Sequence, residues 1–236
     1  MPPTFVLPEL ASCAAAERVA LPREEAVHAA RVLRLRAGDQ VTLIDGVGTR
    51  AEAEVAGVER GVVTVWVGAR SRPPAPKPAV RVLAAPPKGA RAEAMVDGLA
   101  QLGVAAWVPL LTDRGEPDGS ANRRRRWERA AAEAAKQCGR AAFLRVEPAA
   151  GLAETLRPPA AGLRVLADPA GERPSPPPGT AAVDLFVGPE GGFTDAERRR
   201  ILDAGAAAWR LGPHVLRIET AALAGAAIAA RGPTPV

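Results

Sequence analysis

The first third of the chain alternates apolar and polar residues over short runs bounded by glycine. A period of two predicts three strands, Gln40–Ile44, Arg50–Val58 and Val62–Val67, joined by glycine turns. Before them, the segment Glu24–Leu35 carries apolar residues at helical spacing. We therefore predict a small β-rich domain, built as a barrel, over residues 1–70.

The pattern changes after the segment Ser71-Arg72-Pro73-Pro74-Ala75-Pro76-Lys77-Pro78, which predicts a stiff, extended linker over residues 71–78. Beyond it, short apolar strands alternate with amphipathic helices. The predicted strands are Val80–Ala84, Ala105–Leu111, Leu163–Ala167, Ala182–Val187 and Ala208–Leu211, and the predicted helices are Ala90–Leu102, Arg123–Gln137, Thr194–Ala204 and Glu219–Ala230. Continuous apolar strands are typical of a parallel sheet covered on both faces, so residues 79–236 predict an α/β domain.

Composition narrows the class of protein. Hydrophobic residues make up 47% of the chain and charged residues 24%, which is typical of a globular protein. Cys13 and Cys138 lie far apart, and neither they nor His28 and His214 show the spacing of metal ligands. We therefore expect no metal and a reducing, cytoplasmic setting. No segment has the pattern of a signal peptide or of a membrane span, so no membrane partner is expected.

The formal charge of +5 and the isoelectric point near 10.1 favour a polyanionic partner such as RNA. Many soluble proteins are mildly basic, and a GC-rich genome would also enrich arginine. Aromatic residues make up only 3% of the chain, which argues against base stacking as the main recognition mode. Four arginines in a row, residues 123–126, open a predicted helix, where their mutual repulsion would be relieved by a phosphate backbone. The alternative is a solvated face partly paired by Glu128.

Two glycine-rich segments differ in their context. The first, Gly46-Val47-Gly48-Thr49-Arg50-Ala51, resembles a dinucleotide fingerprint, but a strand follows it where a helix is required, so it predicts a hairpin turn. The second, Gly188-Pro189-Glu190-Gly191-Gly192, follows a strand and precedes a helix whose Thr194 and Glu197 form a capping box. A tight turn would need only one glycine. The second segment therefore predicts a ligand site at the carboxyl end of a strand.

A further strand end, Leu211–Thr220, concentrates polar side chains within a few residues. Arg217 is suited to hold an anion or to stabilise a developing negative charge. Glu219 is either a catalytic group or a first-turn carboxylate that complements the helix dipole. His214 is expected to pack or to bond locally rather than to act as a base.

The segments VGPEGGFTDAE and LGPHVLRIETAALA resemble the two C-terminal motifs of the RsmE-type 16S rRNA uridine-N3 methyltransferases of the SPOUT superfamily. His28–Asp39, Leu102–Val104, Arg126–Trp127 and Glu133–Arg140 are similar to upstream patterns of the family, so the resemblance covers nearly the whole chain. The departures from the family are Gly98, Gln101, Cys138, His214 and Gly115-Glu116-Pro117.

The resemblance implies an N-terminal PUA-like barrel, a C-terminal parallel α/β domain with a trefoil knot, and a homodimer. It also implies S-adenosylmethionine (SAM) as cofactor and the 16S rRNA of the small ribosomal subunit as substrate. The implied cofactor-binding residues are Leu166, Val187, Gly188, Pro189, Glu190, Gly191, Gly192, Leu211, Gly212, Val215, Leu216 and Arg217. The arginines expected to contact RNA are Arg34, Arg36, Arg114, Arg123, Arg124, Arg125, Arg126 and Arg140.

Methylation at N3 of uracil requires removal of the proton on that nitrogen. Glu219 or Glu190 is the candidate base, and Arg217 is the candidate for stabilising charge on the uracil carbonyls. Two alternatives remain open. One is a SPOUT methyltransferase acting on another RNA position, such as a ribose 2′-oxygen, and the other is a non-catalytic RNA-binding assembly factor.

Overall fold

The computed structural model describes residues 2–115, 120–157 and 162–231. These residues divide into two compact units. The first consists of residues 2–75 and 132–143, and the second of residues 76–115, 120–131, 144–157 and 162–231. The domain limits expected from sequence, 1–70, 71–78 and 79–236, stay a prediction.

The first unit contains a five-stranded sheet in the order β1-β3-β4-β5-β2. Its strands are β1 (Thr4–Val6), β2 (Arg18–Ala20), β3 (Gln40–Ile44), β4 (Arg50–Glu59) and β5 (Val62–Ser71). The inward side chains of β4 and β5 alternate with exposed ones, so the period of two forms one buried face, with Val55 and Val65 in register. The three strands predicted from sequence are therefore confirmed, whereas β1 and β2 were not predicted.

The segment predicted as a single helix, Glu24–Leu35, is two short elements. Helix α1 (Arg23–Val27) is followed directly by a π-helical turn, His28–Val32. The wider turn keeps Ala29 buried while Val32 and Leu33 become exposed, and the chain then leaves through Arg34 at φ 54°. Ala26 and Ala29 are both buried, and the apolar periodicity of the sequence does not report that the helical turn changes between them.

The second unit is built on a seven-stranded sheet in which every pairing is parallel. The order is β12-β10-β11-β6-β7-β8, and β9 also pairs with β7. The strands are β6 (Ala79–Ala84), β7 (Ala106–Leu111), β8 (Arg145–Val146), β9 (Ala150–Gly151), β10 (Leu163–Glu172), β11 (Ala182–Val187) and β12 (Ala207–Trp209). The helices that follow β6 along the chain are α2 (Arg91–Gln101), α3 (Ala121–Cys138), α4 (Leu152–Thr155), α5 (Asp195–Asp203) and α6 (Ile218–Ala230), and the residues of α3 from Ala132 onward belong to the first unit. The predicted parallel α/β architecture is confirmed.

Close packing of α6 against β11 of the sheet and against α2 depends on glycine. A Cβ on Gly225 would lie 2.6 Å from the Leu185 side chain, and a Cβ on Gly98 of α2 would lie 2.6 Å from Leu223. This packing covers one face of the central strands. Arg81 and Asp184, which are in register, form two hydrogen bonds of 2.8 and 2.6 Å between β6 and β11. The hydrogen bonding to Asp184 raises the pKa of Arg81.

Within the described ranges, no helix is long and apolar enough to cross a membrane. In the same residues, no group of three or more histidine, cysteine, aspartate or glutamate side chains is arranged to hold a metal ion. Cys13 and Cys138 are free thiols.

Candidate functional site

A cavity of about 430 Å³ opens at the carboxyl ends of β10 and β11. Residues of β10 form one wall of the cavity, and the end of β11 with the loop after it forms a second. The segment that joins β12 to α6 forms the third. Its size is within the range of small-molecule sites, and its place at the carboxyl ends of parallel strands is where such sites form in open α/β sheets. The two glycine-containing segments singled out from the sequence therefore meet at one cavity.

Eleven of the twelve predicted cofactor-binding residues line this cavity: Leu166, Val187, Gly188, Pro189, Glu190, Gly192, Leu211, Gly212, Val215, Leu216 and Arg217. Gly191 is not among the lining residues, and its carbonyl instead accepts a hydrogen bond of 2.9 Å from Nη1 of Arg114. Phe193, which ends the first of the two segments, also lines the cavity, whereas sequence reasoning missed Asp168 and Arg198.

The loop after β11 owes its shape to the start of α5. Thr194 and Glu197 form the predicted capping box, which is thereby confirmed. Gly192 adopts φ 67°, a conformation that favours glycine. A Cβ on Gly188 would lie 3.1 Å from both the ring and the backbone nitrogen of Phe193. The loop therefore depends on glycine at two points for the close approach of its backbone.

The buried carboxylate of Glu197 also reaches a second loop. Its Oε2 accepts from the Thr194 N–H at 2.8 Å, while its Oε1 accepts from the Asp113 N–H at 2.9 Å. The loop after β7 and the loop after β11 are thus held by the same side chain.

Arg217 is the N-cap residue of α6, and its side chain makes no capping hydrogen bond. Its carbonyl accepts from the Ala221 N–H at 2.8 Å, so the backbone begins the helix and the exposed guanidinium remains available. His214, which was expected to pack or bond locally, is exposed on the cavity wall. Within the described residues its side chain makes no hydrogen bond.

Glu219 does not line the cavity. Its Oε1 lies 3.8 Å from Arg91, and its buried Oε2 has no hydrogen-bond partner in the described part of the chain. Arg91 also lies 3.3 Å from Glu190, which does line the cavity. Arg91, the first residue of α2, thus links the two segments. It was missed because each partner is distant in sequence.

Two family models match the chain. One, described as the RNA methyltransferase domain, matches residues 73–230, and the other, described as the RNA methyltransferase PUA domain, matches residues 21–65. The chain belongs to the RNA methyltransferase family. The family resemblance expected from the two motifs is confirmed, and the first unit contains the PUA-like domain of this methyltransferase.

Named relatives of the methyltransferase agree with this assignment. It is 36% identical to the ribosomal RNA small subunit methyltransferase E of Mycobacterium bovis, over 84% of this chain and 80% of that protein. The methyltransferase of the same name from Bacillus subtilis is 28% identical over 85% and 84%. A crystal structure of the Neisseria gonorrhoeae protein of that name, bound to S-adenosyl methionine, matches with a TM-score of 0.88, 28% identity and 96% of both chains. A Legionella pneumophila protein solved with the bound cofactor SAM matches with a TM-score of 0.86, 29% identity and 100% of both chains.

The arginines predicted to contact RNA differ from one another in their exposure and in the side chains that they contact. In the first unit, Arg34 and Arg36 are exposed, and Arg140 is partly buried. In the second unit, Arg124 lies 2.9 Å from Glu128 and Arg126 lies 2.8 Å from Glu93. Arg123 lies over the ring of Trp127, at 5.5 Å from its centroid, and Arg125 is exposed. Carboxylates therefore neutralise part of the positive charge at the start of α3.

Proposed function

We propose that this protein uses SAM to methylate N3 of a uridine in the 16S rRNA of the small ribosomal subunit. The observation that carries the proposal is the cavity at the carboxyl ends of β10 and β11, lined by both C-terminal motifs. Relatives named small subunit methyltransferase E, and related structures that bind SAM, support it. A cytoplasmic location follows from this substrate.

The cavity fits the chemistry of SAM. Leu166, Val187 and Leu216 offer apolar surface for an adenine ring, and the glycine loop offers backbone polar groups for the sugar. Charged side chains of both signs also line it, as a ligand with a sulfonium, an ammonium and a carboxylate requires. When bound, SAM supplies an electrophilic methyl group for transfer to a nucleophilic atom.

The protein must remove the proton from N3 and stabilise the charge left on the base. Of the two candidate carboxylates, Glu190 lines the cavity and its side chain is 45% exposed, which supports it as the proton acceptor. Glu219 is mostly buried beside Arg91, so its proposed part in catalysis is to hold Arg91, which in turn positions Glu190. The free guanidinium of Arg217 would stabilise negative charge on the uracil carbonyls.

The remaining elements of the proposal concern RNA and assembly. We propose that Arg34, Arg36 and Arg140, together with Arg114 and the arginines at positions 123–126, contact the phosphates of the rRNA. In this proposal the RNA contacts come from two domains, a PUA-like domain over 1–70 and a catalytic domain over 79–236. A linker over 71–78 joins them. The trefoil knot and the homodimer belong to the proposal through the family resemblance.

The test is to incubate the protein with isotopically labelled SAM and small subunits from cells that lack this modification, then locate the label by mass spectrometry. We expect one 3-methyluridine in 16S rRNA, and its loss when Arg217→Ala and Glu219→Ala are combined. Label on a ribose 2′-oxygen would contradict the base specificity. Absence of SAM binding by calorimetry would favour a non-catalytic assembly factor.

A further inference from the structure

An ion pair on the cavity wall lies outside the two motifs. Asp168 belongs to β10 and Arg198 to α5, and both line the cavity. Nε of Arg198 donates to Oδ2 of Asp168 at 2.6 Å, and Oδ1 of Asp168 accepts from the Ala170 N–H at 2.8 Å. Both oxygens of the carboxylate are therefore engaged by the protein itself.

Arg198 keeps unused donors. Its side chain is 42% exposed, and its two terminal amino groups make no hydrogen bond to any residue that the structure describes. Because Asp168 holds Nε, the guanidinium is fixed while its outer edge stays available. Arg200, on the same helix, is exposed and does not line the cavity. Of the consecutive residues Arg198, Arg199 and Arg200, only Arg198 lines the cavity.

We infer that Arg198 binds the carboxylate at the amino-acid end of the cofactor, an inference that rests on the proposed use of SAM. This carboxylate is the only anionic group of SAM, since its sulfonium and ammonium groups are cationic. A guanidinium edge matches a carboxylate with two parallel hydrogen bonds. Fixing Nε in advance lowers the conformational entropy lost when the ligand binds.

Arg217 is the other cation on the cavity wall. Its guanidinium is exposed, and no carboxylate within salt-bridge distance holds it in the described residues. Asp168 orients Arg198, whereas nothing comparable orients Arg217, so we assign the carboxylate to Arg198. Arg217 then remains free to face the RNA.

The test is calorimetry without RNA, using SAM and decarboxylated SAM, which lacks only the carboxylate. We expect the wild-type protein to bind SAM about tenfold to a hundredfold more tightly than the decarboxylated form, the range for hydrogen bonds to charged groups. Arg198→Gln should remove this preference without weakening the binding of decarboxylated SAM. The matched control Arg200→Gln makes the same change in charge on the same helix and should keep the full preference.

Two further variants test the role of the pair. Arg198→Lys should keep part of the preference, because a lysine retains the charge without the fork. Asp168→Asn should lower it, because the guanidinium is then less firmly held. The inference is overturned if Arg198→Gln discriminates as the wild type does, or if Arg217→Gln removes the preference instead. If the wild type binds neither ligand, the proposed function itself fails, which is a separate outcome.

Discussion

Two glycine-rich loops of this protein look alike in sequence and differ in how their polar groups are used. In the first, Oδ1 of Asp45 accepts from the N–H groups of Val47, Gly48 and Thr49 at 2.8, 2.9 and 2.9 Å. The loop closes the hairpin between β3 and β4 and its donors are occupied. In the second, the N–H groups of Glu190 and Gly191 donate no hydrogen bond within the described residues.

The difference lies in whether the amides of each loop are bound by the protein. Asp45 accepts from the amides of the first loop, and Arg72 and the Phe143 N–H donate to its Val47 and Gly46 carbonyls. The second is held from a distance by Arg91, which lies beside Glu190, and by Arg114, which bonds the Gly191 carbonyl. A glycine-rich loop fixed by remote side chains, with amide donors left over, can hold a ligand. This comparison makes separate predictions for the two loops.

The largest expected effect is on the first loop. A Cβ on Gly46, which adopts φ 79°, would lie 2.5 Å from the Phe143 ring. Gly46→Ala should therefore lower the free energy of unfolding by about 2–4 kcal/mol, from overpacking and backbone strain, and leave SAM affinity unchanged. Urea denaturation and calorimetry measure the two quantities.

Gly188→Ala is the matched variant in the second loop. Its Cβ would press on Phe193, which lines the cavity, so SAM affinity should fall about tenfold with little change in stability. If both variants changed the same quantity, the distinction between the loops would be wrong.

Arg91→Gln tests the remote support of the second loop. We expect the rate of methylation at saturating SAM to fall about tenfold to a hundredfold, because Glu190 and Glu219 lose the cation between them. The affinity for SAM should fall much less than the rate, and Arg91→Lys should restore most of the rate. A loss of rate that lysine does not restore would indicate that Arg91 has only a structural role.

Asp45→Asn tests the local support of the first loop through pH. Burial raises the pKa of Asp45, but hydrogen bonding from Thr49, Val47 and Gly48 outweighs it, so the folded pKa lies below the usual value. The ionised form therefore contributes stability above about pH 4, and that contribution is lost as the pH falls through the folded pKa. Asp45→Asn should cost about 1–2 kcal/mol at pH 7 in urea denaturation, with a smaller difference below pH 4. A cost independent of pH would contradict the role of the charge.

The smallest expected effect is that of Arg114→Gln, which removes the hydrogen bond to the Gly191 carbonyl. Because this contact is exposed, SAM affinity should weaken only about twofold to fivefold. Calorimetry without RNA measures it, with Arg125→Gln as the control of equal charge. An unchanged affinity would show that the second loop keeps its shape without Arg114.

Much of the fold could be predicted because its strands carry their own pattern. Strands β3 and β11 have the predicted limits, because consecutive residues of each strand show by their polarity which faces are buried. The short strands β1 and β2 escaped prediction because three residues hold too little pattern, and each forms by pairing with a distant strand. The π-helical turn escaped prediction because five residues are too few for apolar spacing to distinguish it from an α-helical turn.

The cavity was predictable where the chain itself concentrates glycine and polar residues, as in 188–192 and 211–220. Arg91, Asp168 and Arg198 were not, because each matters through a partner brought close only by the fold. The run of arginines that contains Arg198 could have drawn attention to α5, but helical position alone does not show which of the three faces the cavity.

The side chain of Glu197 protects amides of two different loops from solvent. Because its two oxygens accept from Asp113 and Thr194, movement of the Glu197 side chain exposes both amides at once. The amide protons of these two residues should therefore exchange with solvent in step, although the residues lie on different loops. Occupancy of the cavity by SAM would slow the exchange of both amide protons. The loop carrying Arg114 would then respond to the cofactor without contacting it.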